Sequence, residues 1–465
     1  MTTVTAPELP HAARNATERQ PRGLALLFFT EMWERFSYYG MRALLVLFLI
    51  DTSTGGFGWT QEQASRLYGW YTGLVYLTPI IGGYLADRYL GTSRSLIIGG
   101  IIIALGHFTL AVHSPTAFYA GLALIVIGTG FFKSNVSTMV GQLYRENDPR
   151  RDGGFTIFYM GINLGAFFGP LVCGWLAAHP KYGWGWGFGA AGVGMVLGLI
   201  CFSVLRRKIL GDVGMQPAGL TRTNTGGAAK DAPLTKEERD RVIALAIVAF
   251  FVAFFWLAFE QAGSSLNVFG QQKTDRAVTG WFAWAVPNGQ IPAAWFQAIN
   301  GLFIVVFAPV VAWVWKRLGT RQPSTPMKMV VGLTAVALGF VAILPGALLA
   351  DRGGLASPWF LVSLYLFHTF GELCLSPVGL SFTTKVAPVK FLSMMMGVWF
   401  LSNFAANLAG GYVAGTVEKI SRGEVFHVLG GQSDFFLLFI VSSFAAAFLL
   451  LLLVPLLKKL THGRG

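Results

Sequence analysis

Charged side chains and cysteines are scarce in this chain of 465 residues. Only 12% of the residues are charged, whereas 54% are hydrophobic and the mean hydropathy is +0.57. So much apolar surface excludes a water-soluble globular protein of ordinary composition and predicts a polytopic membrane protein. The three cysteines, Cys173, Cys201 and Cys374, all lie inside apolar runs. This pattern excludes a disulfide framework and predicts reduced, buried thiols.

Motifs that would indicate catalysis or nucleotide hydrolysis are also missing. The sequence contains no Gly-x-x-x-x-Gly-Lys-Ser/Thr phosphate loop and no His-Glu-x-x-His metal-ligand spacing. It has no Ser-His-Asp arrangement that supports covalent catalysis. We therefore expect no enzyme, no metal site and no cofactor. The net charge of +13 does not predict nucleic-acid binding, because a basic excess in a membrane protein reflects loop residues that set its orientation.

Long apolar runs are what the sequence does contain. A run of about 20 apolar residues is long enough to cross a bilayer as a helix. Twelve such runs lie near 24–50, 61–86, 93–113, 116–144, 154–178, 187–206, 241–268, 292–316, 327–350, 357–385, 390–416 and 434–457. Most lysines and arginines fall in the terminal tails and the even-numbered loops. The positive-inside bias then places both termini in the cytoplasm of a cell-membrane protein, which we expect to be a monomer in the lipid bilayer.

A polar segment near the middle divides the chain into two sets of six helices. The predicted organisation is a cytoplasmic tail over 1–22, a bundle over 23–206, a linker over 207–240, a bundle over 241–458 and a tail over 459–465. A weak internal repeat supports this division, since Leu90-Gly91-Thr92 is echoed by Leu318-Gly319-Thr320. The predicted fold class is an all-α polytopic membrane protein with two pseudo-symmetric six-helix bundles, an architecture of secondary transporters.

A cluster of charges interrupts the first apolar run. Four of its polar residues are spaced i, i+3, i+4 and i+7 and therefore share one helical face: Glu31, Glu34, Arg35 and Tyr38. Each charge at the centre of a membrane helix costs on the order of 2.5–3.5 kcal/mol, so the cluster predicts an aqueous cavity. Arg42 lies one turn beyond Tyr38, and we expect it to snorkel toward the outer interface.

Three other predicted helices each carry an ionisable residue in their interior. These residues are Lys133 on the fourth helix, Glu260 on the seventh and Glu372 on the tenth. Because an unpaired charge in hydrocarbon is costly, we expect all of them to face one cavity and to pair there with each other or with a ligand.

The first-helix motif Glu31-x-x-Glu34-Arg35-Phe36-x-Tyr38-Tyr39 resembles the signature of the proton-dependent oligopeptide transporter family. Segments along nearly the whole membrane region are similar to other motifs of that family: Phe158-Tyr159-Met160-Gly161-Ile162-Asn163-Leu164-Gly165-Ala166, Lys133 in Gly130-Phe131-Phe132-Lys133-Ser134-Asn135, Trp256 with Glu260-Gln261, Trp295-Phe296-Gln297-Ala298-Ile299-Asn300, Gly371-Glu372-x-x-x-Ser376-Pro377-x-Gly379, and Trp399 with Asn403. The loop over 82–91 resembles the cytoplasmic motif of the major facilitator superfamily, in which an acidic residue meets the facing helix and glycines allow close packing. Its predicted gating residues are Gly83, Asp87, Arg88 and Gly91.

The resemblance implies a proton-coupled symporter that imports di- and tripeptides by alternating access. It implies that Arg35 and Lys133 receive the peptide carboxylate and that Glu372 receives the amino terminus. The other implied substrate-binding residues are Tyr38, Tyr39, Tyr71, Asn163, Trp256, Asn300, Ser376, Trp399 and Asn403. Protons are the implied coupling ion. Glu31, Glu34 and Arg35 would form one proton-coupling set, and Lys133 with Glu260 a second.

Two departures from the family pattern are visible. Animal members have a functional histidine on the second helix, where this sequence has Gly69, so proton handling falls to the glutamates. Many bacterial members also insert two helices between the bundles, but no run in this linker is long enough to span.

Two other transport functions are alternatives. A relative that moves nitrate or another small anion is the first alternative, which Glu372 opposes because a buried carboxylate repels an anion. Drug export, the second, predicts fewer fixed charges.

Overall fold

The computed structural model describes residues 19–145, 148–217, 235–387 and 392–462. Within these ranges twelve long helices form the molecule, and no strand is present. The first half consists of α1 (Arg22–Ile50), α2 (Gln61–Leu85), α3 (Thr92–Leu110), α4 (Pro115–Gln142), α5 (Arg151–Ala178) and α6 (Trp184–Ile209). The second half consists of α7 (Lys236–Phe259), α8 (Trp295–Leu318), α9 (Thr325–Asp351), α10 (Pro358–Val386), α11 (Leu392–Ala414) and α12 (Gln432–Leu460). The predicted fold class is confirmed.

Length and composition identify the membrane-spanning helices. In the described part of the chain, nine helices are long and apolar enough to cross a bilayer. α1 fails that criterion because Glu31, Glu34, Arg35 and Arg42 lie in its middle. These charges are nevertheless buried inside the protein, so α1 crosses the membrane without presenting them to lipid.

Glycines on α5 set the position of α1. Gly161, Gly165 and Gly169 recur every four residues and therefore form one face of α5. A Cβ added to Gly165 would lie 2.7 Å from the Cβ of Arg35, and one added to Gly161 would lie 3.0 Å from the carbonyl oxygen of Phe28. Small residues allow this close approach of two membrane helices. The approach brings Arg35 against the helix that carries Asn163.

The internal repeat has a structural counterpart. Gly91, between α2 and α3, has φ 80°, and Gly319, between α8 and α9, has φ 51°. Both lie in the left-handed region that favours glycine. Equivalent loops of the two halves therefore both place a glycine at a positive φ, although ψ is 155° at Gly91 and -119° at Gly319.

Contacts between the halves concentrate toward the face opposite the termini. On α2 and α11, a Cβ added to Gly69 would lie 2.8 Å from the Cα of Gly411. On α5 and α8, a Cβ added to Gly301 would lie 2.8 Å from the carbonyl oxygen of Asn163. Nearer that face, the Asn267 side chain donates a 2.9 Å hydrogen bond to the carbonyl oxygen of Ala43. The two halves are thus closed against each other on this side.

The sequence predicted one continuous helix over 241–268. The structure instead divides this seventh apolar run into two helices. α7 ends at Phe259, a 3-10 turn covers Glu260–Gly263, and a short helix covers Ser265–Gln272. The break occurs where Glu260 reaches across to α1 and where Gly263 packs against the hydroxyl end of Tyr68. Both contacts with the first half therefore lie directly after the last regular residue of α7.

A hairpin follows this break and reaches the first half. Ala277 and Gln290 pair in an antiparallel bridge. At the tip, Trp281 and Trp284 are 82% and 83% exposed. The indole nitrogen of Trp175 on α5 donates a 3.0 Å hydrogen bond to the carbonyl oxygen of Ala285.

Candidate substrate-binding cavity

A cavity of about 330 Å³ lies between the two halves. Helices of both halves contribute side chains to its wall. Its lining residues are Glu31, Arg35, Tyr39, Arg42, Tyr76, Lys133, Ser137, Tyr159, Ile162, Asn163, Ala166, Trp256, Phe259, Glu260, Ala262, Gln297, Asn300, Tyr365, Glu372, Trp399, Phe400 and Asn403. The wall therefore combines fixed charges of both signs with aromatic rings and amides, as ligand sites commonly do.

Arg35 is the buried centre of the charge cluster on α1. Its Nε donates a 2.7 Å hydrogen bond to Oε1 of Glu31 and lies 2.9 Å from Oε2 of Glu34. The side chain is only 7% exposed. Neither terminal nitrogen of the guanidinium has a hydrogen-bond partner among the described residues. Both terminal nitrogens of Arg35, with two N–H donors each, thus remain available to a planar oxyanion.

Lys133 on α4 brings a second cation into the same cavity. Its Nζ lies 3.7 Å from the centroid of the Tyr76 ring on α2, a cation–π contact. No carboxylate of the described chain lies within 4.0 Å of that Nζ. An ammonium held by a ring face and free of a carboxylate partner can receive an anionic group from a ligand.

Glu372 on α10 places a carboxylate in the wall formed by the second half. Its Oε1 accepts a 3.3 Å hydrogen bond from the hydroxyl of Tyr159 on α5, and its Oε2 accepts one of 3.1 Å from Asn300 on α8. The Asn300 amide also lies 3.1 Å from Oγ1 of Thr369. Glu372 is therefore held by neutral donors, which leaves its charge available to a cation.

Arg42 forms a buried ion pair between the halves, and the prediction that it snorkels outward is wrong. Arg42 is only 6% exposed, its guanidinium pairs with the Glu260 carboxylate, and its Nε donates a 2.6 Å hydrogen bond to the Tyr68 hydroxyl. Glu260 thus pairs with Arg42. The predicted second proton-coupling set, in which Glu260 pairs with Lys133, is not formed. The reason is geometric, because Arg42 on α1 faces the break after α7, whereas Lys133 leans on Tyr76.

The structure brings most predicted site residues to one cavity. The predicted residues that line it are Glu31, Arg35, Tyr39, Lys133, Asn163, Trp256, Glu260, Asn300, Glu372, Trp399 and Asn403. Three others, Glu34, Tyr38 and Tyr71, do not line it. Tyr38 and Tyr71 are buried with their rings stacked 6.5 Å apart, and Glu34 lies behind Arg35. The side chain of Ser376 falls outside those that the structure describes.

Sequence reasoning missed several residues of this wall. Tyr76, Ser137, Tyr159, Gln297 and Tyr365 line the cavity. Tyr159 and Gln297 lie inside motifs already recognised. Arg42 is spaced i+7 from Arg35 and therefore lies on the same face of α1, which was the available signal.

The exposure of the lining residues shows toward which face the cavity opens. Ser137, nearer the terminal end of the bundle than Lys133 on α4, is exposed, while Lys133 itself is partly buried. Toward the opposite face, Glu260 is 5% exposed and Tyr365 2%. Solvent therefore reaches the cavity from the side on which the termini lie.

The predicted gating loop contains a π-helical turn, which its sequence motif did not predict. A single π-helical turn over Ala86–Leu90 follows α2, and Gly91 ends it. Asp87 is exposed and forms no ion pair with any residue whose side chain is described. Arg88 donates a 2.9 Å hydrogen bond to the Tyr84 hydroxyl on its own helix. A Cβ added to Gly83 would lie 3.3 Å from Oγ of Ser134 on α4, as close packing requires. Among the described side chains, Asp87 thus does not form the expected ion pair with a facing helix.

The charges in this cavity are suited to binding a ligand. Across the described residues, no group of three His, Cys, Asp or Glu side chains could hold a metal ion. What the cavity offers is a pair of cations from the first half and an anion from the second. A ligand that carries both charges can bridge the halves.

Comparison with known proteins agrees with this geometry. The sequence pattern of the POT family matches residues 93–209 and 226–429. Peptide transporter YePEPT of Yersinia enterocolitica is 37% identical over 460 residues, covering 86% of this chain and 88% of that protein. A di-/tripeptide transporter of Lactococcus lactis subsp. cremoris is 33% identical over 474 residues, covering 90% and 94%.

A solved structure has the same fold. The crystal structure of a peptide transporter POT in complex with sulfate is 37% identical, covers 98% of this chain and 99% of its own, and superposes with a TM-score of 0.84. The family match spans more than half of the sequence, and both relatives exceed 30% identity over most of it. The chain is therefore a multi-pass membrane protein of the major facilitator fold that belongs to the POT family.

Proposed function

We propose that this protein is a proton-coupled symporter that imports di- and tripeptides by alternating access, without a cofactor. The observation that carries the proposal is the division of charge across one cavity, with Arg35 and Lys133 on the first half and Glu372 on the second. The names of the relatives support a peptide as the substrate. The basic loops support a cell-membrane location with both termini in the cytoplasm.

A small peptide fits this division of charge because it is a zwitterion. Its carboxylate would bind the free terminal nitrogens of Arg35 and the Nζ of Lys133. Its ammonium would bind Glu372, which neutral donors already orient. A site that accepts many side chains has to hold the two ends of the peptide, and holding both ends connects the two halves. Substrate binding would thereby favour closure of the cavity.

Two buried arginine–glutamate sets supply sites for a proton. Arg35 is held by Glu31 and Glu34 on its own helix, whereas Arg42 is held by Glu260 on the other half. Protonation of Glu31 or Glu34 would release Arg35 for the peptide carboxylate. Protonation of Glu260 would release Arg42 and weaken the closed face, so proton binding and opening of that face would be coupled.

The energy available is sufficient for uphill transport. One proton that moves down a gradient of about 150 mV supplies roughly 3.5 kcal/mol, which supports about a 300-fold gradient of substrate at perfect coupling. On the proposed orientation, the face opposite the termini is extracellular and closed. The structure then corresponds to an inward-facing state.

The alternative substrates remain less suited to the cavity. Nitrate could bind Arg35 and Lys133, but it would leave Glu372 buried without a cation and would not connect the halves. A lipophilic cation exported as a drug would leave the free terminal nitrogens of Arg35 and the Nζ of Lys133 without an anionic ligand. Each of these ligands would pair either with the cations of the first half or with the carboxylate of the second half, but not with both.

Uptake by purified protein in proteoliposomes tests the proposal. Labelled alanyl-alanine uptake driven by a pH gradient should be lost in Arg35→Ala, Lys133→Ala and Glu372→Ala. Unlabelled dipeptide should compete with the reporter peptide, whereas nitrate should not. Glu31→Gln should lose uphill accumulation and keep peptide counterflow. Unchanged uptake in the three alanine variants, or competition by nitrate alone, would refute the assignment.

A further inference from the structure

An apolar groove of about 980 Å³ lies on the outside of the first half, away from the central cavity. Four helices form it: the middle of α1, the end of α3, the end of α5 and the beginning of α6. Its lining residues are Trp33, Phe36, Phe108, Ala111, His113, Val172, Leu176, Tyr182, Gly185, Trp186, Gly189, Ala190, Val193, Gly194 and Leu197. Several of them are open to the surroundings, including Trp186 at 61% and Val193 at 51% exposed.

Glycines of α6 form the space. Nothing lies closer than 4.0 Å to a Cβ added to Gly189, so the volume above this residue is empty. At the inner end, a Cβ added to Gly194 would meet the Phe36 ring, so the aromatic residues of α1 close the groove. The groove is therefore open toward the membrane and floored by the helix that carries Arg35.

The length of the groove is close to the thickness of one leaflet of the bilayer. Its α6 residues run from Gly185 to Leu197, a rise of about 18 Å at 1.5 Å per residue. Half of a hydrocarbon core of about 30 Å is about 15 Å. The groove begins at the face opposite the termini and ends near the middle of α1. An acyl chain of the leaflet on that side would fill it from headgroup to chain end.

The mouth of the groove has the chemistry of a headgroup site. Tyr182 and Trp186 lie there, as amphipathic rings do at the membrane–water interface. The Nζ of Lys181 lies 5.7 Å from the centroid of the Tyr182 ring and is exposed. His113, also exposed, lies across the mouth from Gly185. A cation at this level is complementary to a phosphate, and a lysine near an anionic lipid surface contributes favourably to binding.

We propose that this groove is a binding site for one acyl chain of an anionic phospholipid whose headgroup contacts Lys181. The site is separate from the peptide cavity and does not depend on the proposed function. Because its floor is formed by Trp33 and Phe36, the lipid packs directly on the helix of the coupling cluster.

Photocrosslinking tests the site directly. The full-length protein is reconstituted with equal amounts of phosphatidylglycerol and phosphatidylethanolamine that carry a photoreactive acyl chain, and the adducts are mapped by mass spectrometry. Adducts are expected on the α6 segment 185–197. Gly189→Leu, which fills the groove, should reduce them at least tenfold. The matched control is Ser203→Leu, which adds the same group to an exposed position of α6 outside the groove and should leave them unchanged.

Headgroup selectivity provides the second measurement. Lys181→Gln should reduce the preference for phosphatidylglycerol over phosphatidylethanolamine about fivefold, as loss of one cation near the surface predicts. If thermal unfolding shows that Gly189→Leu does not fold, Val193→Trp replaces it. Equal adducts in wild type and the filled variants would overturn the proposal. A photoreactive amino acid at position 193 that crosslinks to a second protein chain and not to lipid would also overturn it, because a second copy would then be the occupant.

Discussion

The guanidinium of Arg42 on α1 pairs with the carboxylate of Glu260 at the end of α7, so the two halves of the protein share a buried ion pair. The hydroxyl of Tyr68 on α2 binds the same guanidinium at 2.6 Å. All three side chains are excluded from solvent. Because removal of one partner leaves the other charge buried and uncompensated, we expect closure of the halves to depend on this ion pair.

The ion pair predicts a pattern of stability changes. Arg42→Ala and Glu260→Ala should each destabilise the protein by about 3–5 kcal/mol, and the double variant should recover most of that loss. Thermal unfolding in detergent measures the relative stability of the wild-type protein, the two single variants and the double variant. Exposed Arg422 and Glu424 form a control pair within the second half, and their alanine variants should change stability by less than about 1 kcal/mol. Additive losses in the buried double variant would show that the two charges do not interact.

Glu260→Gln predicts a functional effect of the same pair. The amide cannot carry the charge, so proton-driven accumulation of alanyl-alanine should be lost, while counterflow down a peptide gradient should remain. Uptake with and without a pH gradient separates the two activities. Accumulation at the level of the wild-type protein would exclude Glu260 from coupling.

The contact of Gly69 with Gly411 predicts that neither position accepts a side chain. Gly69→Ala would place a Cβ 2.8 Å from the Cα of Gly411, so the closed face should be forced apart. Electron–electron distance measurements between spin labels on the two halves should show a larger open fraction. Gly397→Ala is the matched control, since nothing lies within 4 Å of its added Cβ. The close approach also explains why an imidazole has no room at Gly69.

The hydrogen bonds to Glu372 predict a change in substrate affinity. Tyr159→Phe removes the donor to Oε1, and one lost hydrogen bond to a charged group of about 1.5–3 kcal/mol should raise the KM for a dipeptide at least tenfold. Tyr365→Phe is the control, because that hydroxyl donates no hydrogen bond to a described residue. A peptide that lacks a free amino group should bind both variants and the wild-type protein equally poorly.

Asp51 predicts a pH-dependent stability outside the membrane-spanning segments. Partial burial alone would raise the pKa of this carboxyl, but hydrogen bonds from Thr54 and Ser53 hold the pKa well below its ordinary value of 3.8. A depressed pKa stabilises the folded state above the ordinary value, and this contribution is lost as the pH falls through the folded pKa. Asp51→Asn should therefore lower the unfolding temperature at pH 7 and have less effect below about pH 4. An equal effect at both pH values would show that the charge is not responsible.

The sequence predicted the fold well because membrane helices follow from local composition. Runs of apolar residues predicted all twelve long helices. The equivalence of Gly91 and Gly319 in the two halves was visible as a sequence repeat. The error in the helix bounds was a continuous seventh helix, and it arose where a long-range contact lies at the end of that helix. The apolar residues around Glu260 favour a continuous helix. The end of α7 at Phe259 becomes apparent only from the contact of Glu260 with Arg42 on α1.

The sequence also predicted which charges would meet, but not how they would pair. The cost of an unpaired charge in hydrocarbon determined by itself that Arg35, Lys133, Glu260 and Glu372 share a cavity. Only the tertiary structure decided that Arg42 binds Glu260, that Lys133 leans on Tyr76, and that Tyr38 and Tyr71 pack away from the cavity. The physical reason is that burial depends on composition along one helix, whereas pairing depends on the rotation and separation of neighbouring helices, which glycine contacts between distant segments set.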